Sequence, residues 1–180
     1  MKAIILGLGQ SLNNWKRQKN EFVIGCNNIY DYQKDIDAIC IVDPLPALLK
    51  KRPTVFNTPE HVYKYCRDIR FSDFFKRFRH IESFAHTFNN SFNYKTLPIN
   101  HGYTCPFYAT VLAMYLGYKE IEIFGVDHNN GHVLDNDFSK QRTSKEFSQL
   151  IKFAETQGIN IYFNDACLIK ERVQTFLNYD

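Results

Sequence analysis

The sequence predicts a single α/β domain built on a mostly parallel sheet with helices on both faces. Three observations carry the prediction. The strand candidates are short unbroken aliphatic runs, Ala3-Ile4-Ile5-Leu6 and Ala38-Ile39-Cys40-Ile41-Val42 foremost, and such runs belong to strands covered on both sides. Three successive runs stop at small or polar residues, Gly7, Asn27 and Asp43. A stretch apolar almost all round, Phe107 to Leu116, then reads as a buried helix ahead of a further strand.

In chain order, Ala3–Leu6 is the first strand and Gly7-Leu8-Gly9-Gln10-Ser11-Leu12 the turn after it. This is either an ordinary strand-to-helix turn or a phosphate-binding one. In the second case Gly7 makes the sharp turn and Gly9, lacking a Cβ, lets a ligand approach the next helix. Ser11 is a candidate N-cap for a helix from Ser11 to Lys19. Glu21–Cys26 is the second strand and ends at Asn27. A nicotinamide-binding unit ends this strand in an acidic residue, so Asn27 argues against a dinucleotide oxidoreductase; an amide, with donor and acceptor, suits a nucleobase edge. The third strand, Ala38–Val42, ends at Asp43, and Pro44 opens a short helix from Leu45 to Lys51. Thr54–Asn57 reads as a fourth strand.

The segment from about 60 to 100 is a less regular insertion in the single domain spanning 1–180. Arg67 to His80 interleaves basic and aromatic residues and reads as an amphipathic helix burying its phenylalanines. Ile81–Phe88 reads as a strand and Asn89-Asn90-Ser91 as a turn. Thr104 is the N-cap candidate of the buried helix, with Pro106 in its first turn and Gly117 at its end. Glu120–Phe124 is a strand leading into Gly125-Val126-Asp127-His128. A polar loop covers about 129–142, Thr143 and Glu146 read as a capping box, and the helix they open ends at Gly158. Ile159–Phe163 is the last strand, followed by a helix from about 167 to 176.

With 180 residues, 44% hydrophobic and 23% charged, the chain suits one globular domain that needs no staple. A formal charge of +3 does not indicate a nucleic-acid partner. No apolar run approaches the roughly 20 residues of a bilayer span, so no integral membrane segment is expected, and the start of the chain does not read as a signal peptide. A cytoplasmic protein is the expectation. Cys26, Cys40, Cys66, Cys105 and Cys167 show neither disulfide nor zinc-ligand spacing, which predicts reduced core thiols and assigns no metal ligand.

Three elements together, Gly7-Leu8-Gly9-Gln10-Ser11-Leu12, the strand ending Cys26-Asn27, and Leu116 to Asp127 with its Gly125-Val126-Asp127 end, resemble the bacterial family 42 glycosyltransferases. Those are sialyltransferases using a CMP-activated sugar. The same elements are similar to the MptE-like family, which includes hydroxymethyl-dihydropterin diphosphokinases. The resemblance implies a Rossmann-like fold, a nucleotide sugar, CMP-linked foremost, and a glycan acceptor, with no cofactor required. It places Gly7, Gly9, Gln10, Ser11, Asn27 and Asp43 at the nucleotide, and Thr104, Cys105, Asp127 and Asn129 near the sugar or phosphate. Leu8, Asp43 and Cys105-Pro106 depart from the family pattern, and its general-base histidine falls near Phe138. His128 and His132 are the substitute candidates for the base; with Asp127 they also form a set suited to a divalent ion. The diphosphokinase reading requires Mg²⁺, with Asp43 and Asp127 as its carboxylates. A nucleotide- or glycan-binding protein without catalysis is the third reading, and a homo-oligomer stays open.

Overall fold

The computed structural model describes residues 1–84, 92–100, 102–127 and 137–178. The strands are β1 (Lys2–Leu6), β2 (Glu21–Cys26), β3 (Ala38–Ile41), β4 (Tyr63–Cys66), β5 (Phe78–His80), β6 (Ser83–Phe84), β7 (Ile99–Asn100), β8 (Glu120–Phe124) and β9 (Asn160–Phe163). Among the described residues, seven of them form one sheet in the order β5-β4-β3-β2-β1-β8-β9, with every pairing parallel; β6 and β7 pair separately. The chain moves outward from β1 through β5, then returns to the far side of β1. The reversal between β1 and β8 is the switch point at which open α/β sheets leave a crevice at their carboxyl ends.

Strand periodicity divides two cores. Ala3, Ile5, Ile24 and Ile123 face α2 (Cys105–Tyr115), α3 (Asp137–Thr156) and α4 (Ile169–Asn178), and meet Phe107, Val111, Leu112, Phe147 and Val173. Ile4, Leu6, Val23 and Ile39 face the other way, toward α1 (Leu45–Lys51) and several 3₁₀ turns carrying Leu12, Val55 and Phe71. Helical structure thus covers both faces as predicted, although one face carries mostly single turns. Every residue of α2 from Phe107 to Met114 is buried. Thr104 caps the helix, its Oγ1 accepting from the Phe107 amide at 3.3 Å.

Several elements differ from expectation. The first helix is only a 3₁₀ stretch, Gln10–Asn14, because Arg17 is drawn into extended chain by Asp37, 2.7 Å away, and by the Glu21 carbonyl, 3.0 Å away. Thr54–Asn57 is not a strand: Pro53 opens a 3₁₀ turn over Pro53–Asn57, which buries Val55. The fourth strand is instead Tyr63-Lys64-Tyr65-Cys66, hidden in the sequence by Lys64, whose Nζ donates to the Pro59 carbonyl from a buried position. Arg67 to His80 is no helix but a 3₁₀ turn, Ile69–Asp73, followed by β5. Its phenylalanines are nevertheless the anchor: Phe56 stacks on Phe75 at 5.5 Å, and Phe71 on Phe75 at 5.7 Å.

Further along, α3 starts at Asp137 rather than at a Thr143 cap, so Thr143 and Glu146 lie inside it; Thr143 is buried and Glu146 pairs with Arg142. The strand predicted over 81–88 is seen as Ser83–Phe84, and the turn at 89–91 lies outside the described residues. No described helix is long and apolar enough to cross a membrane.

Candidate functional site

At the switch point the backbone of β1 and that of β8 come unusually close. The amides of Gly7 and Gly9 donate to the carbonyls of Phe124 and Gly125, both at 2.8 Å. A Cβ on Gly7 would stand 2.3 Å from the Gly125 oxygen, and one on Gly9 would stand 2.4 Å from Asp127 Oδ2. Close chain approach explains both glycines: Gly7 has no positive φ, and the space beside Gly9 is filled by a carboxylate rather than left to a ligand. Gly125 does adopt a positive φ, +70°, in the matching turn.

Asp127 closes this junction. Its Oδ2 accepts from the Ser11 amide at 2.6 Å and its Oδ1 from the Leu168 amide at 3.1 Å, tying the β1 turn to the chain entering α4. The Ser11 hydroxyl accepts from the Gly125 amide at 2.8 Å and meets Cys167 Sγ at 3.2 Å. The amides of Gly7, Gly9, Ser11 and Leu12 therefore all have partners within the chain. A carboxylate already takes the place that a phosphate would seek at Ser11. Beside the turn lies a cleft of about 430 Å³ bordered by Gln10, Ser11, Asn13, Asp127 and Leu168.

A second group gathers where β2 and β3 end and α2 begins. Parallel pairing sets Cys26 against Cys40, and Asn27 follows at once, its amide donating to the Cys40 carbonyl at 3.0 Å. Asn27 is buried, holds a left-handed φ of 52°, and its Oδ1 has no partner among the described residues. Such a conformation is uncommon outside glycine, although Asn tolerates it best, and a buried amide oxygen without a donor is costly. α2 begins at Cys105, beside Cys40, so its positive end opens here. Cys105, in its first turn, lies 3.4 Å from Cys40, sulfur to sulfur. Hydrogen bonding from Cys26, with that from Cys40, holds the Cys105 thiol well below its ordinary range, while burial pushes the Cys26 and Cys40 thiols up. Asp43 stands at the rim, half-exposed, 3.8 Å from Arg52.

The structure thus divides the sequence-predicted residues into two groups. Gly7, Gly9, Gln10, Ser11 and Asp127 meet at the switch point, and Asn27, Asp43, Thr104 and Cys105 meet at the start of α2. His128, Asn129 and His132 lie outside the described residues, as does the Phe138 side chain. One acid was read only as a cap. Glu146 is mostly buried, with Oε2 unpartnered among the described residues and Oε1 3.6 Å from Arg142, whose guanidinium sits over the ring of Tyr103 beside the α2 cap. Burial pushes its carboxyl up to about 7. Its position on the apolar face shared with Phe147 and Leu150 is the sequence signal that could have found it.

No family model matches the chain, and no curated protein matches it. Among solved structures it is similar to the sialyltransferase CstII from Campylobacter jejuni in complex with a substrate analogue, CMP-3FNeuAc. There the identity is 18% and the TM-score 0.49, over 90% of this chain and 79% of that one. The same enzyme in complex with cytidine-5'-monophosphate gives 19% and 0.47, over 90% and 78%. A mutant of the α-2,3/8-sialyltransferase CstII gives 18% and 0.48, over 91% and 81%. At this identity the likeness concerns the course of the chain alone.

Proposed function

We propose that this chain binds a nucleotide at the ends of β2 and β3 and acts as a nucleotide-sugar-dependent transferase, passing a sugar from a CMP-linked donor to a glycan acceptor. The observation that carries the reading is Asn27: a buried amide in a left-handed conformation whose oxygen has no donor among the described residues, at the carboxyl end of a central parallel strand. Oxygen and nitrogen of one amide match the acceptor and donor that a pyrimidine edge presents. The motif resemblance of the β1 turn, of Cys26-Asn27 and of Gly125-Val126-Asp127 supports the same assignment.

In this reading the donor phosphate faces the amino end of α2, where the helix carries about half a positive charge. The β1 turn serves as the wall of the site, since the amides of Gly7, Gly9, Ser11 and Leu12 are already taken. His128 or His132, following Asp127 in the chain, is the proposed general base. The Mg²⁺-ATP alternative asks Asp127 to ligate a metal, yet both its oxygens accept backbone amides, which favours the sugar-transfer reading.

Thermal unfolding with CMP, a CMP-sugar, a UDP-sugar, and ATP with and without Mg²⁺ tests the reading. A ligand at a hundred times its Kd adds about 2.7 kcal/mol, which for a chain of this size raises Tm by about 5–10 °C. CMP and its sugar should do so without metal, and Asn27→Ala should weaken them about five- to tenfold. The reading fails if no nucleotide stabilises the protein at millimolar concentration, or if only Mg²⁺-ATP does.

A further inference from the structure

Cys26, Cys40 and Cys105 come from three separate elements, yet their sulfurs all lie within 4.8 Å of one another. We propose that they form a binding site for one thiophilic divalent ion, zinc in the first instance. Three sulfurs each about 2.3 Å from a tetrahedral zinc are on the order of 3.8 Å apart, so the cluster matches that span with adjustments below an ångström. Cys26 and Cys40 are anchored on adjacent paired strands, which fixes two ligands before any ion arrives. Cys105 is the least buried of the three. Three protein ligands leave the fourth position to water or an incoming group, the pattern of reactive rather than structural zinc.

Burial opposes ionisation of the Cys26 and Cys40 thiols and Asp43 opposes that of Cys105, while the α2 amino end and the Arg52 guanidinium, within electrostatic reach of Cys26 and Cys105, act the other way. The charge of a bound divalent ion itself deprotonates its thiol ligands. One further buried polar atom near these ligands lacks a partner among the described residues: Tyr108 Oη, three residues after Cys105 and within electrostatic reach of Cys40 and Cys105. Water on the ion's fourth position is the kind of group that supplies such an atom with a hydrogen bond. Soft thiolates select zinc-like or monovalent copper ions over magnesium or calcium, so this site is distinct in chemistry from a phosphate-bound Mg²⁺.

The inference does not rest on the nucleotide reading, and its test uses no nucleotide. Reduced, metal-stripped full chain is titrated anaerobically with Co²⁺ and then Zn²⁺. One equivalent of Co²⁺ should give thiolate-to-cobalt charge-transfer absorption of the intensity of three sulfurs, displaced by one equivalent of Zn²⁺. Cys105→Ser should weaken binding by more than about tenfold, the lower end of what even an outer-shell change costs; Cys167→Ser should leave it intact. Because Cys26 and Cys40 variants carry a folding risk, wild-type protein is also alkylated with and without Zn²⁺ and mapped by mass spectrometry. Zinc should protect Cys105, the least buried of the three; Cys26 and Cys40, buried in either state, are not expected to report. Absence of the charge-transfer band, binding unaltered by Cys105→Ser, or zinc protection elsewhere overturns the proposal.

Discussion

Replacing Glu146 by Gln isolates a buried acid from everything around it. In the wild type, burial raises this carboxyl from 4.5 to about 7, against a weaker opposing pull from Arg142. The folded chain therefore keeps a proton that the unfolded chain releases. The stability associated with the neutral form is complete below pH about 4.5 and is lost as pH rises through about 7. At about 1.36 kcal/mol per pH unit, the gap corresponds to about 3 kcal/mol. Gln keeps the shape and cannot ionise. Urea unfolding at pH about 4.5 and about 8 should find the two proteins nearly equal in acid. At the higher pH the Gln variant should be more stable by up to about 3 kcal/mol, a figure that already includes the opposing pull of Arg142. Parallel stability curves across this range would refute the argument, because they would mean that Glu146 ionises as freely in the folded chain as in the unfolded one.

Two further predictions concern the switch-point junction. Gly9→Ala drives a Cβ to 2.4 Å from Asp127 Oδ2 and 2.9 Å from the Gly125 carbonyl, and should cost about 1–3 kcal/mol in denaturant unfolding. Asp127→Asn sets an amide NH₂ against one of the two backbone donors, Ser11 or Leu168, and should cost about 1–3 kcal/mol; since both changes act on one contact, the double variant should fall short of the sum.

The unbroken strand runs, the Thr104 cap and the all-round apolar α2 are legible in the sequence because each depends on neighbours a few residues away. The same locality explains the misreadings. Tyr63-Lys64-Tyr65-Cys66 looks too polar for an inner strand until Lys64 is seen donating to the Pro59 carbonyl, and Thr54–Asn57 looks like a strand until Pro53 starts a turn there. Thr143 and Glu146 have the spacing of a capping box, yet α3 has already begun at Asp137.

By itself, then, the sequence determined the parallel α/β class, the order of its main elements, and the polar strand ends at Asn27 and Asp43 where a ligand site is expected. Only the tertiary structure decided what those ends do. It set Gly7 and Gly9 against Gly125 and Asp127, left Asn27 Oδ1 without a donor among the described residues, and joined Cys26, Cys40 and Cys105 in one cluster. Local patterns follow from the 2.0 and 3.6 periods of side chains along a strand or helix. Contacts between residues 65 or 116 positions apart follow only from how the sheet is paired and where α2 and β8 are laid upon it.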